Sequence, residues 1–243
     1  MAANEIGDYQ GIMAHREQLE FVDRVRAMFP AAFTGKRVLE IGSLDINGSV
    51  RDLFTGCDHI GIDVAAGPGV DLVCQGQDYD APDASFDTVI CCEVMEHNPR
   101  WKETFLNMFR LCKPGGLVVM TCASTLRREH GTTRTTPGDS PLTVGIGWDY
   151  YCNLTARDIR RALDLRKPLS AFSFFQNWAS FDLYFIGFRR GVDLPPGVPP
   201  KLAALRRHYL RECARLAPRR LKMRLLIAAL GEERYWAGPI RLW

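Results

Sequence analysis

The stretch Val38-Leu39-Glu40-Ile41-Gly42-Ser43-Leu44-Asp45-Ile46-Asn47-Gly48 reads as an apolar strand that carries an acid and enters a glycine-containing turn. At the carboxyl end of a parallel strand, such a turn brings backbone close to a ligand. Twenty-one residues past Gly42, a second apolar run, Ile60-Gly61-Ile62-Asp63, also ends in an acid. A carboxylate at that point can accept both hydroxyls of a ribose. Each piece alone is a common α/β turn. Together, at this spacing, they favour a ligand that contains adenosine. Charge then narrows the choice. A dinucleotide wants Gly-x-Gly-x-x-Gly, so that a pyrophosphate can rest on a helix N-terminus. Here Asp45 stands inside the turn and would repel it. Glu40 also has the wrong sign for phosphate, and it suits the ammonium group of a methionine moiety.

These residues need a scaffold, and the apolar pattern supplies one. Residues 12–29 predict a helix, with Leu19, Val22, Val25 and Phe29 on one stripe and Pro30 closing it. Strands follow at Arg37–Ile41, His59–Asp63, Val70–Cys74, Phe86–Cys92 and Leu117–Cys122, with a short helix at Val50–Phe54 and a longer one over Arg100–Leu111. Lys113-Pro114-Gly115-Gly116 predicts a turn. Apolar strands alternating with helices predict a doubly wound, mostly parallel sheet covered on both faces. The segment 124–153, rich in Thr, Gly, Arg and Pro, is a long functional loop. Thr155 starts a capped helix that runs to about Leu163. Two late strands, Leu169–Gln176 and Asp182–Arg189, are joined too closely for a crossover and predict an antiparallel hairpin. Residues 1–194 therefore form one domain. Residues 195–243 form a stiff proline-rich linker and a basic extension of two helices, broken at Pro218.

Further motifs lie in order along the same scaffold: Ser85-Phe86-Asp87-Thr88-Val89-Ile90, then Glu93-x-x-Glu96-His97, then Leu111-Cys112-Lys113-Pro114-Gly115-Gly116. With Glu40-x-Gly42 and Asp63, this set resembles the class I S-adenosylmethionine-dependent methyltransferases of the small stand-alone type 11 kind, over about residues 36–190. The resemblance implies a Rossmann-like seven-stranded sheet in the order 3-2-1-4-5-7-6, with S-adenosylmethionine as cofactor and S-adenosylhomocysteine as product. It implies that Glu40, Gly42, Ser43 and Gly48 hold the methionine end and that Asp63, with Val64 beside it, holds the ribose. Gln75 and Gly76 take the adenine position, where the family usually has an acid, and Glu93 follows strand 4. A glutamine carbonyl can accept the same hydrogen bond.

Transfer from an activated sulfonium needs mainly an acceptor held in line and relieved of its proton. His97, just past strand 4, and His130, in the long loop, are the candidate bases. Either can instead be structural: His97 fixing the Glu93–His97 turn, His130 at the surface. Tyr150, Tyr151 and Asn153 line the acceptor pocket or anchor the loop. There is neither an Asn-Pro-Pro-Tyr-like tetrad nor a Pro-Cys nucleophile, which weakens a nucleobase acceptor. The leading expectation is an oxygen or nitrogen of a small molecule or saccharide. One rival is a cofactor-binding module without turnover, motivated by Gln75 and the altered glycine turn. The other is an RNA-directed enzyme recruited by the arginine-rich tail.

Composition sets the outer bounds. The chain has 243 residues, 47% of them hydrophobic and 24% charged, and a net charge of +3. Residues 201–243 hold 11 Lys+Arg against 3 Asp+Glu, which suits a solvated or docked helix face as well as a phosphate partner. Aromatic interleaving is too sparse for stacking on single-stranded bases. No apolar run reaches the ~20 residues needed to span a bilayer, and the N-terminus lacks the pattern of a signal peptide. Eight cysteines without a Cys-x-x-Cys pair, and histidines without a His-x-x-x-His pair, predict buried thiols in a reducing cytoplasm and no metal. A monomer or homodimer is expected.

Overall fold

The computed structural model describes residues 16–46, 48–232 and 235. Seven strands form one sheet in the order β3-β2-β1-β4-β5-β7-β6, the order expected from the resemblance. They are β1 (Arg37–Ile41), β2 (Asp58–Asp63), β3 (Leu72–Val73), β4 (Phe86–Cys92), β5 (Cys112–Ala123), β6 (Leu169–Asn177) and β7 (Asp182–Arg189). β1 to β5 pair in parallel, whereas β7 runs antiparallel to both β5 and β6. The continuous apolar runs of β1 and β4 are buried because the sheet is covered on both sides. On one face lie α2 (Trp101–Leu111) and α4 (Ala156–Ala162), packed against Leu39, Val89, Val118 and Phe185. On the other lie α1 (Arg16–Met28) and the start of α5 (Val198–Leu230), against Val38, Ile90, Val119 and Tyr184.

Four expectations about elements need correction. The strand predicted over Val70–Cys74 shrinks to two residues at the sheet edge, with Leu72 49% and Val73 60% exposed. Just before it, Asp71 still donates its amide to the Gly61 carbonyl at 2.9 Å, while its carboxylate is taken up by Arg51 and by the Gly61 amide at 2.7 Å. The short helix at Val50–Phe54 is a 3-10 turn, Val50–Leu53. The predicted turn Lys113–Gly116 is part of β5, which begins at Cys112 opposite Phe86 and absorbs the turn as a register irregularity before Leu117 pairs with Thr88.

The fourth correction concerns the C-terminus. The two expected helices are one, with Pro218 inside it. A proline removes one helical hydrogen bond and crowds the preceding turn, at a cost of about 3 kcal/mol. Packing on both sides offsets that cost: Cys213 and Met223 are buried, and the Arg220 guanidinium lies 4.1 Å from the Trp178 ring centre. The proline-rich segment is also shorter than a linker. Gly197, at φ +80, turns the chain, and Pro199 and Pro200 sit in the first helical turn, where no amide partner is needed. The N-terminal helix is described from Arg16, so residues 12–15 of that expectation lie outside the described residues.

The long loop contains a 3-10 turn at Pro137–Asp139 and a five-residue helix, α3 (Pro141–Gly145). The chain then enters α4 through a capping box. Asp158 accepts from the Thr155 amide at 3.0 Å, and its own amide donates to the Thr155 hydroxyl at 3.3 Å. Thr155→Ala is expected to lower unfolding free energy by about 1 kcal/mol, with Thr155→Ser close to wild type, read from urea midpoints. Equal midpoints for the alanine variant would mean that packing of Ile159 alone sets this helix.

Candidate active site

One cavity opens at the carboxyl ends of β1, β2 and β4, where the strand order reverses across the sheet. The turn after β1 forms its floor. Gly42 has φ +79, and a Cβ there would come within 2.0 Å of Val94 Cγ2, so only glycine fits. Its amide donates to the Ile62 carbonyl at 2.8 Å. Asp45 folds back into the turn: its amide donates to Pro68 O and its carboxylate accepts from the Gly48 amide, both at 2.8 Å. That internal closure accounts for the turn being longer than a tight glycine loop.

Asp63, at the end of β2, holds this turn to the rest of the site. Its two carboxylate oxygens accept from the Leu44 amide at 3.1 Å and the Val64 amide at 2.7 Å. Each oxygen keeps a lone pair for a further donor. Burial pushes the Asp63 carboxyl above its ordinary range, and the two amides oppose that shift. Glu40 is buried and bonded to His59 Nε2 at 2.8 Å. The register explains the pair: Glu40 faces Gly61, and His59 two residues earlier points to the same side of the sheet. His59 was missing from the sequence reading, although the pairing of two parallel strands implies it.

The cavity wall includes Glu40, Gly42, Gly48, Asp63, Val64, Gly76, Glu93 and His97 from the sequence expectation. Ser43, Gln75 and His130 are not on it. Ser43 is buried under the turn, close enough to Gly61 that a Cβ there would meet its hydroxyl at 2.6 Å. The Gln75 side-chain oxygen accepts from Gln77 Nε2 at 2.5 Å, and it is Gln77 that reaches the cavity. Gln77 is in turn held by the Thr104 hydroxyl at 2.8 Å. Sequence reasoning also missed Gln18 of α1, Asn98, and the loop residues Leu142 and Trp148, which line the same cavity. Their contribution depends on how α1 and the long loop dock, which no local pattern encodes.

At the far end, Glu93 has φ +53, a left-handed conformation that costs a non-glycine residue on the order of 1–3 kcal/mol. Its amide donates to Thr121 O at 3.0 Å, and both carboxylate oxygens are buried without a hydrogen-bond partner. His97 is buried, and burial, followed by the neighbouring His130, pushes its pKa down to about 3. The His130 ring meets that of His97 edge-on, with centres 5.0 Å apart, and is also shifted down by burial. Tyr151 donates to the Arg128 carbonyl at 3.1 Å and Asn153 to Arg127 O at 2.9 Å, so both anchor the loop and stand away from the wall. All eight cysteines are free thiols.

Residues 13–166 match a family model described as a methyltransferase domain. No curated protein matches the chain in sequence. Among solved structures, Haemonchus contortus phosphoethanolamine N-methyltransferase 2 in complex with S-adenosyl-L-methionine is 15% identical, with a TM-score of 0.51, over 72% of this chain and 53% of that one. Burkholderia thailandensis 1,6-didemethyltoxoflavin-N1-methyltransferase, with bound 1,6-didemethyltoxoflavin and S-adenosylhomocysteine, is 12% identical, with a TM-score of 0.46, over 76% and 94%. The chain spans about half the length of the first solved structures it matches. No helix among the described residues is long and apolar enough to cross a membrane.

Proposed function

We propose, from the premise that this chain belongs to the methyltransferase domain family matched over residues 13–166, that it transfers a methyl group from S-adenosylmethionine to an oxygen or nitrogen of a small-molecule or saccharide acceptor. The observation that carries this reading is the pair of acids, Glu40 and Asp63, on the wall of one cavity at the ends of adjacent parallel strands. Glu40, with Gly42 and Gly48, takes the methionine end, and its charge matches an α-ammonium. Asp63 and Val64 take the ribose. Gly76 takes the adenine edge, with Gln77 doing at the wall what the sequence assigned to Gln75, and Ser43 supporting the turn from beneath. Asp45 and Glu40 oppose the pyrophosphate of a dinucleotide.

The methyl carbon then points toward Glu93 and His97, the acceptor end. A neutral His97 offers a lone pair to the acceptor's O–H or N–H and so aims the nucleophile at the sulfonium carbon, with His130 packed behind it. Positioning supplies much of the acceleration, because the sulfonium is already activated. The apolar side chains of Leu142 and Trp148 on the cavity wall would help keep water away from the reacting carbon.

Calorimetry with S-adenosylmethionine, S-adenosylhomocysteine and NAD is the test. Micromolar binding of the sulfur ligands with no NAD binding is expected; NAD binding alone would overturn the cofactor assignment. With an acceptor found by release of S-adenosylhomocysteine, His97→Ala should lower kcat on the order of 100-fold. An unchanged kcat would remove His97 from the reaction.

A further inference from the structure

Glu96, His97 and His130 each present one ligand atom, and these atoms lie within 4.8 Å of one another. We propose that the three side chains form a binding site for one divalent transition-metal ion at the acceptor edge of the cavity.

The hydrogen bonding around the two imidazoles carries the argument. His97 is buried, and its Nδ1 has no hydrogen-bond partner. His130 Nδ1 bonds the Arg128 carbonyl at 3.1 Å, which leaves Nε2 as its free lone pair. His130 thus gives one N–H to a backbone carbonyl, the kind of bond that fixes the tautomer of a metal-ligating histidine, and His97 adds a buried nitrogen with nothing else to bond. Glu96 completes the set. One of its oxygens accepts from the Ala123 amide at 2.9 Å, and the other is fully buried and unpartnered. Buried polar atoms without a partner are costly. Three ligands converging on one point, two of them more than nine-tenths buried, leave a cation as the group that would satisfy them together.

The surrounding charge favours the same conclusion. Glu93 and Asp182 are further buried carboxylates near Glu96, and Arg127 is the cation facing them, 3.7 Å from Asp182. Two imidazoles and a carboxylate suit a borderline ion such as Zn2+ and suit Mg2+ or Ca2+ poorly. Ligands about 2.1 Å from a tetrahedral ion lie roughly 3.4 Å apart, inside the 4.8 Å that bounds the present separations. Three protein ligands leave a coordination position open, and His97 is on the cavity wall. With an ion bound, the His97 lone pair would belong to the metal, and the open coordination position would hold and polarise the acceptor hydroxyl in its place. This last consequence rests on the proposed methyl transfer; the metal site itself does not.

The experiment is titration of chelator-treated protein with Co2+, followed by visible absorption, and with Zn2+ in competition. One ion per chain is expected, with d–d bands of a low-symmetry nitrogen and oxygen site displaced by Zn2+. His130→Ala, on the loop, should weaken binding on the order of 100-fold with an unchanged circular dichroism spectrum. Glu96→Gln should do the same if it folds. Absence of a saturable Co2+ spectrum, or a spectrum indifferent to His130→Ala, overturns the proposal. S-adenosylmethionine binding is measured in parallel on metal-free protein and is expected to persist, so failure of the metal site and failure of the cofactor assignment give different results.

Discussion

Asp63→Asn is expected to weaken S-adenosylmethionine binding on the order of 100-fold while the protein stays folded. The two carboxylate oxygens already hold the Leu44 and Val64 amides, and the proposed ribose hydroxyls would take their remaining lone pairs. Hydrogen bonds to a charged acceptor contribute roughly 1.5–3 kcal/mol each. The amide loses the charge for both and replaces one acceptor oxygen with a donor, and about 2.8 kcal/mol corresponds to 100-fold. Burial is the largest influence on the Asp63 carboxyl and raises its pKa. Ligand affinity should therefore be flat at neutral pH and fall on acidification from a higher pH than an ordinary aspartate would give. The asparagine variant should lack that acid limb.

Stability separates this effect from damage to the fold. A carboxyl whose folded pKa lies above its unfolded value takes up protons more readily when folded, so its contribution to stability falls as pH rises through that folded pKa. The ionised Asp63 is thus a cost to the empty protein at neutral pH; Asp63→Asn removes that cost but takes the acceptor from one of the two amides, so the two effects oppose each other and the change in Tm should be small. Calorimetry and thermal melts across pH 4–8 check both halves. Wild-type affinity in the variant would remove Asp63 from the ribose site.

Much of the scaffold that carries Asp63 was legible in the sequence because local rules and burial agree there. β4 and β7 are apolar on both faces, the link between β6 and β7 is too short for a crossover, and Thr155 and Asp158 spell out their own cap. Where local and tertiary preferences conflict, the sequence misled. Pro218 reads as a break, yet contacts on both sides carry the helix through it. Lys113-Pro114-Gly115-Gly116 reads as a turn, yet Gly115 at φ +76 lets the strand start early and correct its register. The same division runs through the site. Glu40, Gly42 and Asp63 sit at strand ends that pattern alone locates. Gln77 replaces Gln75 at the wall because the glutamine pair bonds internally, a choice made by side-chain packing. His130 meets Glu96 and His97 only once the long loop has folded over the sheet. α3 within that loop has five residues, too few to show a periodic stripe.

Phe21→Ala in α1 carries the largest expected loss of stability, and it should reach the cavity as well. Phe21 is fully buried, stacks on Tyr184 of β7 with centres 4.3 Å apart, and touches Phe175 of β6 and Tyr209 of α5. One ring thus ties α1 to the antiparallel hairpin and to the C-terminal helix. Truncating a buried phenylalanine costs about 3–5 kcal/mol, because the space left is only partly refilled. Gln18, one turn earlier on the same helix, is buried and lines the cavity with its side-chain oxygen unpartnered. A helix released from the aromatic cluster would no longer hold Gln18 there. Urea unfolding should show the stability loss, and calorimetry should show a drop in S-adenosylmethionine affinity of about tenfold, or 1.4 kcal/mol. Phe21→Leu, which keeps most of the apolar volume, should recover most of both. If Phe21→Ala lost stability but kept full affinity, α1 would be a brace for the sheet with no part in closing the cofactor site. The coupled loss is expected because Phe21 and Gln18 share one rigid face of a 13-residue helix, so packing at one position sets the reach of the other.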